Sequence, residues 1–383
     1  MGLGAARLRN WIGGGRERRM LVASCLLACA LVAPVAGLVT IAFQGSDGAF
    51  LGLDGAWSHL LAYVLPGAIA DTLILLTGVG CLVIAMGTGL AWLMTAYEFP
   101  GRRIFEWALL LPLAVPTYIV AYAYLDLLHP VGPVQGALRA LFGLTDPRAL
   151  HLPDVRSMGG CILLLSFVLY PYVFMPTRAL FLMQAGGLME AARMLGAGRR
   201  RVFFSVALPL ARPAIALGAS LALMEALNDI GASEFLGVRT LSVSIYATWV
   251  NRSNLPGAAQ IALALMALAV ALVLIERWAR RRQRYVSQTQ RAPRSRPIRL
   301  RGWALAGALS AVSLPVLVGF VFPALYLVAE AWRRVAFAGL PADLGGQIVN
   351  TVTISAFATL AALCAGFLLA YGARITRAPL AAA

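Results

Sequence analysis

Pro66-Gly67-Ala68-Ile69-Ala70-Asp71-Thr72-Leu73-Ile74-Leu75-Leu76-Thr77-Gly78-Val79-Gly80-Cys81-Leu82-Val83-Ile84-Ala85-Met86 opens a stretch that runs to Thr95 with a single charged residue, Asp71. A helix needs about 20 apolar residues to cross a hydrocarbon core, and this stretch exceeds that. Its glycines are no obstacle, because neighbouring helices re-satisfy the backbone in lipid. Comparable blocks lie at about 20–43, 104–128, 158–180, 213–229, 259–276, 303–329 and 348–372. The pattern predicts an all-α, polytopic transmembrane protein of about eight spans. Composition agrees, with 60% hydrophobic and 13% charged residues and a mean hydropathy of +0.80, where soluble domains carry about a quarter charged residues.

The net charge is +16, and all 32 basic residues are Arg. They sit between apolar blocks rather than on one polar domain, which argues against a nucleic-acid partner. The first block follows Arg7, Arg9, Arg16, Arg18 and Arg19 and is too long for the apolar core of a cleaved leader, about 7–15 residues. It reads as a span entering from the cytoplasm. Alternation then places 25 arginines inside or at the inner boundary and 7 outside, as the positive-inside rule requires. Removing any one span would put the cluster Arg277–Arg301 on the wrong side. The outer segment 129–157 holds Pro130, Pro133, Pro147 and Pro153 and reads as an ordered cap. His59, His129 and His151 fall outside and read as ordinary polar residues. Cys25, Cys29, Cys81, Cys161 and Cys364 lie in apolar blocks without ligand spacing and read as packing residues.

An internal repeat shapes the domain reading. Asp71-Thr72-Leu73 through Ala91 matches Asn350-Thr351-Val352 through Ala370 at an offset of 279, and Pro34 and Pro323 hold similar places in the spans before them. The expected organisation is an N-terminal segment with the first span (1–57), a first domain (58–280), a basic linker (281–302) and the start of a second like domain (303–383). On this reading the complete protein has two similar halves.

Glu190-Ala191-Ala192-Arg193-Met194-Leu195-Gly196 falls on the inner side, followed at Val206 by Val-Ala-Leu-Pro ending in Leu208 and Pro209. Good helix formers from Leu188 to Leu195 predict a short helix, and Gly196 a stop with positive φ. The spacing resembles the signature loop of permeases of binding-protein-dependent ABC importers: Glu-Ala-Ala, three residues, Gly, nine residues, Ile, any residue, Leu-Pro, with Val206 in place of Ile. The resemblance implies that Glu190, Ala191, Ala192, Gly196, Leu208 and Pro209 belong to a knob that docks on a separate cytoplasmic ATPase dimer, with ATP and Mg on that partner and no cofactor on this chain. No phosphate-cradling Gly-Lys-Ser/Thr loop and no nucleophile elbow is present in the sequence, so the chain itself is expected not to be an enzyme.

Leu111-Pro112-Leu113-Ala114-Val115-Pro116-Thr117-Tyr118, Ser166-Phe167-Val168-Leu169-Tyr170-Pro171-Tyr172, Met224-Glu225-Ala226-Leu227-Asn228-Asp229-Ile230-Gly231 and Ile245-Tyr246-Ala247-Thr248-Trp249 look like segments of fused, two-domain ferric-iron permeases of the MetI-like superfamily. That resemblance implies a bacterial inner-membrane location, Fe³⁺ as cargo and a periplasmic iron-binding protein as partner. Permeases for thiamine, phosphonate, sulfate or polyamines share the architecture. Charged residues within spans default to functional candidates. Glu225 and Asp229 are spaced to share one helix face, and with Asn228 they could line the path of a hard cation or pin the outer loop. Asp71 and Asp126 are further path candidates.

Overall fold

The computed structural model describes residues 15–43, 60–144, 146, 153–281 and 298–376. Arg7, Arg9, His59, His151 and residues 282–297 of the expected linker lie outside the described residues. The helices are α1 (Gly15–Ala42), α2 (Leu65–Ala96), α3 (Arg102–Ala108), α4 (Thr117–Leu127), α5 (Pro133–Phe142), α6 (Met158–Leu169), α7 (Pro171–Met194), α8 (Arg199–Val202), α9 (Leu208–Asn228), α10 (Gly231–Phe235), α11 (Leu241–Tyr246), α12 (Leu255–Arg281), α13 (Trp303–Val316), α14 (Phe322–Ala338) and α15 (Leu344–Thr376). Two short strands, β1 (Tyr97–Glu98) and β2 (Ile298–Arg299), and several single 3-10 and π-turns lie between them. Two compact units are formed, one joining the residues up to Ile41 with those from Trp332 onward, the other running from Ala42 to Ala331.

The larger unit is built on α2, α6, α7 and α9, whose buried faces share one apolar core that includes Leu75, Met94, Leu165, Tyr170, Phe174 and Phe181. In lipid, helices associate through close packing rather than hydrophobic exclusion, so small residues mark their crossings. Val173 of α7 sits between two of them. A Cβ on Gly87 of α2 would fall 2.6 Å from Val173 Cβ, and one on Gly218 of α9 would fall 2.5 Å from the Tyr172 carbonyl oxygen. Backbone cannot yield as a side-chain tip can. Gly218→Ala is therefore expected to destabilise the core by about 3 kcal/mol, the upper part of the overpacking range. Gly89→Ala, with nothing within 4 Å, should leave the melting temperature in detergent unchanged.

Among the described residues, seven helices are long and apolar enough to cross a membrane: Cys25–Ala42, Ala62–Ala96, Met158–Met183, Arg200–Asn228, Leu255–Trp278, Trp303–Ala338 and Leu344–Tyr371. The block expected as a continuous span at 104–128 is instead broken. Its two pieces, Arg102–Ala114 and Thr117–Leu127, meet at 90°. Pro116 explains the break: proline disfavours helical geometry in the residue before it, and Val115 is extended, at φ −108° and ψ 126°.

The small sheet decides how this bent pair is counted. β1 follows α2 and pairs in parallel with β2, which precedes α13. Leu300 N–H donates to the Glu98 carbonyl at 3.0 Å, and Arg299 Nε lies 3.1 Å from Glu98 Oε2. The two strands therefore share one membrane face, which requires an even number of crossings between them. The spans ending in α7, α9 and α12 supply three, and the bent pair supplies the fourth. Counted as one span, it brings the candidate crossings to eight.

The repeat has a structural counterpart. α15 begins 279 positions after α2. The Thr72 hydroxyl donates to the Ala68 carbonyl at 2.6 Å, and the Thr351 hydroxyl to the Gln347 carbonyl at 2.8 Å, the same contact at matched positions.

Candidate functional site

The 190–209 loop grows directly out of the core. The short helix expected at Leu188–Leu195 is not separate: it is the end of α7, which continues unbroken to Met194. Nothing between Met183 and Met194 removes a backbone donor, and the Gly186-Gly187 pair is carried by the turns on either side. Gly196 then has φ +83°, and Ala197 N–H donates to the Ala192 carbonyl at 3.0 Å. That bond spans the six residues of a Schellman stop. Ala192 and Ala197 pack against the core from either side of the turn. Met194 and Leu195, 89% and 88% exposed, project at the tip.

The returning strand of the loop is equally anchored. Val202 is fully buried, and its N–H donates to the Gly198 carbonyl at 3.0 Å. A π-turn, Phe203–Ala207, follows, with Leu208 N–H reaching back five residues to the Phe203 carbonyl. The wider turn suits what comes next, because Pro209 has no N–H for the ladder. Trp92 of α2 clamps both strands, with ring centroids 5.1 Å from Phe203 and 5.7 Å from Phe181. Sequence reasoning missed this clamp, whose partners lie far apart in the chain. The stub thus has an apolar tip and is held by a core helix and an aromatic clamp.

The acidic residues singled out in the sequence separate into different environments. Glu225 and Asp229 do not share a helix face. α9 ends at Asn228, and Asp229 is extended at ψ 114°. Its Oδ1 accepts the N–H groups of Ala232 and Ser233 at 2.9 and 3.2 Å, and its Oδ2 accepts the Thr117 hydroxyl. Asp229 thus ties α10 to the start of α4. Glu225 and Asn228 remain exposed on α9. Asp126 is exposed and accepts the Tyr326 hydroxyl, while Asp71 lies beside buried Thr72, whose hydroxyl oxygen accepts Leu241 N–H at 2.9 Å. Among the described residues no three acidic, histidine or cysteine side chains gather as a metal group.

One charged cluster was not anticipated from the sequence. Glu106 Oε1 of α3 lies 2.8 Å from Arg178 Nη2 of α7 and 3.8 Å from Arg102 Nε. The partners Glu106 and Arg178 are 72 positions apart, too far for any local pattern to join them.

Residues 83–285 match the family described as the inner membrane component of binding-protein-dependent transport systems. The chain belongs to this family. The permease is 33% identical to the molybdenum transport system permease protein ModB of Escherichia coli over 201 residues, which are 50% of this chain and 83% of that protein. It is 30% identical over 277 residues to a protein of Salmonella paratyphi A provisionally named 2-aminoethylphosphonate transport system permease protein PhnU, covering 70% of this chain and 93% of that one. A bacterial alginate ABC transporter, crystallised with its pentasaccharide-bound periplasmic protein, shares the fold at a TM-score of 0.58 and 19% identity, over 74% of this chain and 98% of that one. The permease is accordingly a multi-pass inner-membrane subunit of an ABC importer.

Proposed function

We propose that this permease moves its cargo by alternating access, driven through the 190–209 loop by a separate cytoplasmic ATPase dimer, with a periplasmic binding protein delivering the cargo. The observation that carries the reading is the stub itself: a core helix prolonged past the bundle, stopped by Gly196 and tipped by Met194 and Leu195. The arginine asymmetry supports an N-terminus and loop on the cytoplasmic side. Glu190, Ala191 and Ala192 fall in the last turns of α7, and Leu208 and Pro209 open α9, so both ends of the signature adjoin helices of the core.

For the cargo we infer ferric iron. Glu225 and Asn228 are exposed on a spanning helix, where a carboxylate facing lipid is costly, which favours a water-lined path at that face. Oxygen ligands of this kind suit a hard cation. Asp126 and Asp71 stand at other faces as secondary candidates, and Asp229 is withdrawn from the path by its capping bonds. A second reading, an oxyanion or phosphonate cargo, is favoured by the names of the relatives. Uptake in a deletion strain separates the two. Accumulation of radioactive ferric iron that depends on this permease is expected, and dependence of radioactive molybdate uptake with no effect on iron would overturn the iron reading.

A further inference from the structure

The two pieces of the broken span carry different polar anchors. The inner piece, α3, is tied to the α6–α7 junction and to α7. The buried Tyr170 hydroxyl donates to the Leu109 carbonyl at 2.7 Å, and Arg178 pairs with Glu106 at 2.8 Å. The outer piece, α4, is tied elsewhere. Thr117 at its start bonds Asp229, Asp126 at its end takes the Tyr326 hydroxyl of α14, and the Tyr124 hydroxyl donates to the Val318 carbonyl at 2.5 Å. Between the pieces Arg102–Ala114 and Thr117–Leu127 stand only the extended Val115 and Pro116, at a 90° bend. A few residues that join two separately anchored elements are the form hinges take.

The α3 anchor is an unusual choice if its purpose is only to hold the fold. One carboxylate stands between two guanidiniums, which leaves an excess positive charge. The Nε atoms of Arg102 and Arg178 are buried and find no hydrogen-bond partner among the described residues. A well-packed apolar contact would serve stability as well or better, and unsatisfied buried donors in a native structure call for a functional account. Arg178 also sits on the helix that ends in the stub, 16 residues before Met194, or about 24 Å along a rigid rod.

We propose that Glu106 and Arg178 are positioning residues for transport. Their ion pair carries the movement of the α7 stub to α3, which turns about the Val115–Pro116 break while α4 stays with α10 and α14. This rests on the coupling role of the 190–209 loop. The assembled importer, in vesicles with its ATPase and binding protein, tests it through two readouts, ATP hydrolysis and uptake of whichever of radioactive ferric iron or molybdate the cells accumulate. Glu106→Gln is expected to lower uptake per ATP by about tenfold, with the ATPase still co-purifying and still hydrolysing. Glu106→Asp and Arg178→Lys, which keep the charges, should retain most of the coupling. The double variant Glu106→Gln/Arg178→Met removes both charges and with them any cost of an unpaired ion, yet it should remain uncoupled. Recovery of normal uptake per ATP in that double variant would make the pair a structural tie and overturn the proposal, as would a parallel fall of hydrolysis and uptake in Glu106→Gln. If the unaltered permease fails to co-purify with any ATPase, the loop reading beneath the proposal falls instead.

Discussion

Gly196→Val is expected to reduce transport by about 5- to 30-fold while the protein stays inserted and folded. Space is not the reason, since a Cβ at Gly196 meets nothing within 4 Å. The backbone is the reason. At φ +83° an L-residue is strained by roughly 1–2 kcal/mol, a factor of about 5–30 in the population of the native turn. The Ala197-to-Ala192 bond that closes the stub opens in the remainder, and Met194 and Leu195 are presented in the wrong place. Gly196→Asn provides the control, because asparagine is the side chain most often accepted at this helix-terminal position. It should keep transport within about twofold of the parent. Uptake assays on membranes with matched permease levels decide the matter, and equal activity of Gly196→Val and the parent would remove the stub from the transport pathway.

The second large effect distinguishes two neighbouring carboxylates. Asp229→Ala is expected to lower stability by about 2–3 kcal/mol, combining loss of a helix cap with a part-buried Thr117 hydroxyl left without its acceptor. Glu225→Gln should leave the unfolding temperature in detergent where it was, because the Glu225 side chain is exposed, and should reduce cargo uptake. Asp229→Asn keeps an oxygen for the Ala232 and Ser233 N–H groups, so its stability should lie between the other two. The paired readouts are a thermal melt and an uptake rate. Loss of stability in Glu225→Gln, or normal uptake by it, would assign that residue to the scaffold.

The spans were legible because lipid imposes a crude demand, length and apolarity, which a single sequence states openly. The direction changes were less so. Pro112 and Pro116 stand in plain view, yet the residues around them are apolar throughout, and hydropathy alone merges two helices across a right angle. The Glu225–Asp229 pairing failed for a related reason. An i, i+4 spacing joins side chains only while the helix continues, and α9 stops at Asn228. The positive φ at Gly196 was readable from spacing, whereas the attachment of its loop was not. Trp92, Phe181 and Phe203 meet in space across more than a hundred positions, as Glu106 meets Arg178 across 72. Such pairings follow from how helices pack, which one sequence does not record.

The two-residue ladder of Tyr97–Glu98 with Ile298–Arg299 also bears on how the chain is made. Its strands emerge from the ribosome some 200 positions apart, and four membrane crossings must be completed between them. Until Ile298 arrives, the edge of β1 has no partner and its Glu98 carbonyl no donor. The ladder therefore closes only after the intervening helices have been made, and only when an even number of crossings separates its strands. A single crossing that fails to insert would strand the two strands on opposite faces of the bilayer. This two-stranded sheet can in this way form only when the nascent chain has entered the membrane with the right parity.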